Sequence, residues 1–204
     1  HLRIALAAEG IAVAQASVTS KAGNANEPEL AFVESPNLAK LIADTNQPSN
    51  NLYAEVLLRS LGISRNTNFP DSAAQGLTAI KDTLTQLGVD ASGYALADGS
   101  GLSRHNLVSP EALIQTLKAM SRLPEFNIFR ASLPVAGVSG TLSNRFKNTP
   151  AQGIVQAKTG TLSGNTALSG YVDAPNYQTV VFSIIVNQSD RSATPLRQAV
   201  DEMV

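Results

Sequence analysis

Gln156-Ala157-Lys158-Thr159-Gly160-Thr161 opens the β-rich last third of the chain, and the other elements can be laid out around it. Lysine brings fixed positive charge, the two threonines bring hydroxyls suited to a carboxylate, and Gly160 has no side chain to obstruct a ligand lying along the backbone. Residues 154–158, 166–173 and 179–186 are predicted strands. Tight loops at Ser163-Gly164-Asn165 and Ala174-Pro175-Asn176 join them, which makes an antiparallel meander.

The sequence before this run is mainly helical. A helix over 2–9 stops at Gly10, residues 22–28 form a loop, and 29–34 suit a short strand. Ser35-Pro36 signals a helix start, with serine as cap and proline in the first turn. Leu38, Leu41 and Ile42 give that helix its apolar stripe, and Gln47-Pro48 breaks it. Periodicity resumes over 50–61, placing Leu52, Tyr53, Val56, Leu57 and Ser60 on one face, with Tyr53 in the core and Gly62 as terminator. Further helices are expected over 71–87, closed by Gly88, from Ser109-Pro110 to about Ser121, and from Thr194-Pro195 to the end; 94–98 suits a short strand. Helices that precede strands imply an α+β fold, with helices packed against an antiparallel sheet in one domain portion covering 1–204.

Composition narrows the function classes. The 204 residues are 43% hydrophobic and 15% charged, which suits a folded globular chain. A net charge of −1 gives no electrostatic reason to expect nucleic acid. With no cysteine there can be no disulfide, thiolate metal site or cysteine nucleophile. With two histidines, His1 and His105, a multi-histidine metal centre is not expected, and no residue pattern calls for a cofactor. No apolar run is long enough to span a bilayer. The chain opens directly in helical sequence, which suggests a portion of a longer protein.

A second motif lies upstream. Pro48-Ser49-Asn50-Asn51 carries a Ser-x-Asn pair between two predicted helices. Serine can relay a proton and asparagine can both donate to and accept from a substrate amide. Equally, serine and asparagine gather at helix starts simply because they cap.

Taken together the motifs form an ordered series: Ser49-Asn50-Asn51-Leu52-Tyr53-Ala54-Glu55, then 98–106 (Asp-Gly-Ser-Gly-Leu-Ser-Arg-His-Asn), then 133–137 and Gly140-Thr141-Leu142, then 157–162 with 167–171 behind it. From about Leu38 to Val186 this series resembles the class C low-molecular-mass penicillin-binding proteins, the D-alanyl-D-alanine carboxypeptidase/endopeptidase family. The resemblance implies a penicillin-binding/serine β-lactamase-like transpeptidase domain, located outside the cytoplasm behind an upstream signal peptide. It implies action on peptidoglycan peptides ending in D-Ala-D-Ala through an acyl-enzyme, with β-lactams as inhibitors and no nucleic-acid partner. It also implies roles: Ser49, Asn51 and Lys158 catalytic, with Thr159, Gly160 and Thr161 binding substrate. The backbone N–H of Thr161 would be half of an oxyanion hole.

The family's nucleophile is a serine in Ser-x-x-Lys ahead of Ser-x-Asn. Three residues before Lys21, Lys40, Lys118, Lys147 and Lys158 stand Val18, Asn37, Gln115, Asn144 and Val155. Thr78 before Lys81 is the one hydroxyl match, but it follows Ser-x-Asn inside an amphipathic pattern. The chain therefore resembles the C-terminal part of the enzyme domain, inactive alone and completed by a missing N-terminal part. A non-catalytic relic or peptidoglycan-binding module that keeps the carboxylate-binding wall is the alternative.

His105, Asp98 and a nearby serine (Ser100, Ser103 or Ser109) also permit a triad, but no Gly-x-Ser-x-Gly elbow accompanies them, and Asp98-Gly99-Ser100-Gly101 more simply builds a turn. Arg104 suits either a substrate carboxylate or, more simply, a surface ion pair, and Asp201 and Glu202 suit a solvated helix face.

Overall fold

A computed structural model describes residues 2–15, 32–65 and 71–204. The chain divides into two units, 1–35 and 36–204. The described part of the first holds helix α1, Leu2–Ala8, which ends before Gly10 at φ +74°. The predicted 22–28 loop and half of the predicted 29–34 strand lie outside the described residues; Phe32–Glu34 has no regular structure.

The second unit contains α2 (Leu38–Asn46), α3 (Asn51–Arg65), α4 (Ser72–Gln86), β1 (Tyr94–Ala95), β2 (Leu107–Val108), α5 (Pro110–Met120), α6 (Phe126–Ser132), β3 (Val155–Leu162), β4 (Asn165–Val172), β5 (Val180–Val186) and α7 (Ala193–Glu202). The main sheet has the order β3-β4-β5 and is antiparallel throughout. The expected meander is present, but β3 runs on through Thr161 to Leu162, so the whole Lys-Thr-Gly-Thr run lies within a strand.

Helices cover both faces of the sheet. On one side Leu117 of α5 and Phe126 and Phe129 of α6 gather around Tyr171, which is fully buried and donates its hydroxyl to Leu117 O at 2.9 Å. Phe126 meets the Tyr171 ring edge-on, 5.2 Å between centroids. On the other side Val200 of α7 packs with Val155, Ala157 and Leu168. This alternation sends Lys158 toward the α5–α6 side and Thr159 and Thr161 toward the α7 side. Strand β5 is a sheet edge, and its sequence Val-Val-Phe-Ser-Ile-Ile-Val carries no charge.

Four local readings need correction. The α2 cap is Asn37, whose side chain accepts Lys40 N; the helix therefore begins at Leu38, past Ser35-Pro36. Gly62 does not end α3. It is buried within the last turn of α3, and a Cβ there would lie 1.9 Å from Ser72 O and 2.8 Å from Gly76 N. The missing side chain is what lets α3 and α4 cross closely. That crossing buries Leu58 and Gly62 and leaves most of the predicted stripe outside: Leu52 is 69% exposed, Val56 51% and Tyr53 39%, while Leu57 is partly buried. The predicted 94–98 strand shrinks to Tyr94–Ala95, because Asn106 Oδ1 captures Ala97 N and Asp98 N.

Replacing Gly62 with alanine improves helix propensity but forces the two helices apart. We expect Gly62→Ala to destabilise the protein by about 1–3 kcal/mol, the usual cost of overpacking, measured by urea unfolding. A stabilised variant would contradict the close-crossing account.

Candidate active site

The site is assembled around the turn between α2 and α3. Gln47 closes α2 and reaches outward twice: its Nε2 donates to Leu133 O at 2.8 Å and its carbonyl accepts Thr141 N at 3.0 Å. Asn46 Nδ2 donates to Ser132 Oγ at 2.8 Å. These bonds fix the turn against α6 and the segment leading to β3. Ser49 then sits in the left-handed region, φ 60°, an uncommon place for a residue with a Cβ. The side chain that caps α3 belongs to Asn50, whose Oδ1 accepts Tyr53 N at 3.2 Å. Neither Ser49 nor Asn51 is used as a cap.

Ser49 is joined to β3. Lys158 Nζ donates to Ser49 Oγ at 2.7 Å and to Thr159 O at 2.9 Å. Burial pushes the Lys158 amine below its ordinary value of 10.5, and among the described residues no carboxylate pairs with it. Because lysine supplies the proton of that bond, the Ser49 hydroxyl hydrogen is free to point elsewhere. Thr159 Oγ1 lies 2.9 Å from Thr141 Oγ1, so the turn at Gly140–Leu142 supplies a further hydroxyl.

The backbone contributes too. Ala157 N donates to Pro134 O and Ala136 N to Val155 O, so the N–H groups of odd-numbered β3 residues face the edge away from β4. Beyond the Val135–Gln156 bridge that edge has no strand partner, and by the same alternation the N–H groups of Thr159 and Thr161 open to it. At Gly160 a Cβ would meet only Ala167 Cβ, at 3.4 Å; the glycine leaves the wall low rather than relieving a clash. Ser49, Asn51, Lys158, Thr159, Gly160 and Thr161 all line one cleft of about 1330 Å³.

The 98–106 loop forms another wall and is structurally committed. Burial tends to raise the Asp98 carboxyl, but hydrogen bonds from Ser103 N, Asn106 Nδ2 and Gly101 N outweigh it and hold the group below the usual carboxylate range. Glu55 Oε1 accepts Gly99 N at 2.9 Å, a role in the loop that its place on a helix did not reveal. Among the described residues no Asp98–His105 hydrogen bond exists, and no cluster of three acidic, histidine or cysteine side chains could hold a metal.

Asp201 differs from expectation, and Arg104 does not take the simpler of its two readings. Asp201 is not solvated: it is half-buried against Arg145, whose Nε lies 3.1 Å away. Arg104 lines the cleft and makes no ion pair among the described residues. Thr141, Arg145 and Arg197 also line the cleft; of these only Thr141 belonged to the motif series.

The depressed Lys158 value has a stability consequence of definite sign. Between that value and 10.5 the unfolded chain holds the Lys158 proton and the folded chain does not, so stability rises with pH. The stability difference between wild type and Lys158→Met, measured by urea unfolding from pH 7 upward, should therefore shift in favour of wild type as the pH approaches 10.5. A pH-independent difference would show that the lysine is not desolvated.

Comparison with known proteins places the chain in a family. The D-Ala-D-Ala carboxypeptidase 3 (S13) family matches residues 1–204. A D-alanyl-D-alanine carboxypeptidase of Actinomadura sp. is 42% identical over 163 residues, 78% of this chain and 30% of that protein. The structure of penicillin binding protein 4 from Haemophilus influenzae, complexed with a β-lactam, matches with a TM-score of 0.72 and 30% identity, covering 80% of this chain and 40% of that one. The fold extends to the extended-spectrum β-lactamase TLA-1, with a TM-score of 0.63 at 18% identity over 81% of this chain and 61% of that one. The chain thus spans less than half the length of its carboxypeptidase relatives. It has the expected α+β architecture of penicillin-binding and β-lactamase-like domains, and it belongs to the D-Ala-D-Ala carboxypeptidase 3 (S13) family.

Proposed function

We propose that this chain is the substrate-holding and proton-relaying part of a serine-type D-alanyl-D-alanine carboxypeptidase/endopeptidase acting on peptidoglycan stem peptides outside the cytoplasm. The observation that carries this reading is the 2.7 Å bond from Lys158 to Ser49, which joins positions 109 residues apart inside the cleft. The terminal carboxylate rests on the Thr159 and Thr161 hydroxyls, near the Lys158 charge. Asn51 hydrogen-bonds the peptide group. The Thr161 N–H, open along the β3 edge, receives the developing oxyanion.

The attacking hydroxyl comes from outside this chain, since no Ser-x-x-Lys precedes Ser49. When the acyl-enzyme forms and the C–N bond breaks, the leaving D-alanine amine takes the Ser49 proton, Lys158 replaces it, and the proton given up by the attacking hydroxyl restores Lys158, so that no net proton is gained or lost. A lysine made more acidic by burial suits that donation. β-Lactams would acylate the same nucleophile. The cleft, at about 1330 Å³, exceeds the roughly 300–1,000 Å³ of ordinary ligand sites, which leaves room for a nucleophile-bearing segment of the parent protein. The missing Ser-x-x-Lys also motivates the second reading, a peptidoglycan-binding module without catalysis.

Fluorescent penicillin separates the two. The 204-residue chain alone should form no covalent adduct, whereas protein extended through the upstream reading frame should. In the extended protein, Ser49→Ala should slow acylation by roughly 10²–10⁴, the usual worth of a positioned proton donor. A folded extended protein that is never labelled would favour the binding module, and an adduct on the chain alone would contradict the division of labour.

A further inference from the structure

Gly99 is the one glycine in the chain that follows an aspartate or asparagine. An Asp-Gly pair is especially open to backbone isomerisation, because no side chain at the second residue shields its amide nitrogen from the preceding carboxyl. Packing allows no other residue at 99. A Cβ there would lie 2.8 Å from Ala54 O and 2.9 Å from Leu58 Cβ, so glycine is what lets the 98–106 loop rest against α3. Asp98 is equally committed. Its Oδ1 accepts Gly101 N at 2.6 Å and Asn106 Nδ2 at 2.9 Å, and its Oδ2 accepts Ser103 N at 2.6 Å. The loop is thus built on a labile pair that it cannot exchange for a safer one.

Isomerisation makes two demands on such a pair. The carboxyl must be protonated, so that its OH can leave as water, and Gly99 N must turn onto Asp98 Cγ. The N–Cγ bond then forms, the amide hydrogen and the carboxyl OH depart together as water, and a succinimide ring closes. Water reopens that ring at either carbonyl. Opening at Cγ returns aspartate, whereas opening at the Asp98 backbone carbonyl leaves the chain running through the former side chain. The product, an isoaspartyl residue, has the mass of the starting protein and one more carbon in its backbone. The step consumes nothing but the water it first released.

Native contacts oppose both demands. Burial tends to raise the Asp98 carboxyl, but its hydrogen bonds hold it below the usual range and so keep it ionised. The Gly99 N–H is directed to Glu55 Oε1 at 2.9 Å, with Ser100 N at 3.4 Å from the same oxygen. Glu55 belongs to α3, so the two reacting groups are tied to different elements, the nitrogen to a helix and the carboxyl to the 101–106 turn. We propose that Asp98-Gly99 is a latent isoaspartyl modification site, held unreacted by the bond from Gly99 N–H to Glu55 and by the amides that grip the Asp98 carboxylate. Conversion would take that carboxylate off Gly101, Ser103 and Asn106 and dismantle a wall of the cleft.

The test follows isoaspartate at residue 98 of the 204-residue chain during warm incubation in mildly acid buffer, counted by isoaspartyl methyltransferase labelling and located by electron-transfer fragmentation. The folded chain should convert at least about tenfold more slowly than the chain in guanidinium, since reaction must await local opening. The protection of the Gly99 N–H against hydrogen exchange should match that slowing to within about threefold, because one opening governs both. Glu55→Ala, shown to be folded by circular dichroism, should convert about fivefold faster than wild type or more, and Glu55→Gln, which keeps an oxygen acceptor, should stay near wild type. Equal rates in the folded and unfolded wild type overturn the proposal. A folded Glu55→Ala protein that converts no faster, or more slowly, also overturns it, the slower case showing that the carboxylate acts as a base. Should Glu55→Ala fail to fold, the wild type still decides: a freely exchanging Gly99 N–H with conversion suppressed removes Glu55 from the account.

Discussion

Everything in the cleft depends on where Gln47 is held. It is the last residue before the turn that presents Ser49, and it is bonded both to Leu133 O and to Thr141 N. Those two partners lie on the segment that runs directly into β3, where Pro134 O and Ala136 N bond to the strand itself. One glutamine therefore ties the Ser49 turn, the Thr141 turn and the Lys158 strand into a single frame. Space around it is tight: a Cβ on Gly140 would fall 2.5 Å from Gln47 Oε1. With the frame rigid, the lysine and serine meet without either backbone having to reorganise, which is what preorganised electrostatics requires.

Within that frame charge is sorted. A half-buried ammonium without a carboxylate partner is normally avoided, because desolvation disfavours its charged form. Here the cost is partly offset by a serine hydroxyl and a carbonyl, and acids that could have neutralised the lysine are engaged elsewhere. Asp98 and Glu55 hold loop amides, and Asp201 holds Arg145. Each of these bonds also shapes a wall of the cleft, so the same contacts that organise the structure keep its interior positive.

Much of the fold is legible because it follows local rules. The meander shows in β-branched runs separated by glycine and asparagine turns. The start of α5 shows in Ser109-Pro110, where the serine side chain does accept Ala112 N. Gly88, at φ +79°, ends α4 as a left-handed glycine should. What was not legible is tertiary. Gly62 looks like a terminator by propensity, yet it is the point of contact between two helices. That contact turns α3 so that Leu58 goes in and Leu52 stays out, against the stripe its own periodicity suggests. Helix α6 is seven residues long and has no side-chain cap, so neither period nor boundary announces it. The site divides the same way. The ordered motifs bring the Ser49 and Lys158 segments to notice, but the hydrogen bond between them, the Thr141–Thr159 contact and the Arg145–Asp201 pair join residues far apart in sequence and need the fold.

The left-handed backbone at Ser49 reflects two opposed demands on one position. A serine there costs on the order of 1 kcal/mol relative to a residue free of Cβ strain, and glycine would satisfy the turn better. Glycine has no hydroxyl to meet Lys158. Local conformational preference and the proposed proton relay thus favour different residues at the same site, and the residue present is the one that keeps a hydroxyl for Lys158. A sequence optimised for folding alone would drift away from it, so the strained turn is a place where thermostability and the proposed relay are in direct opposition.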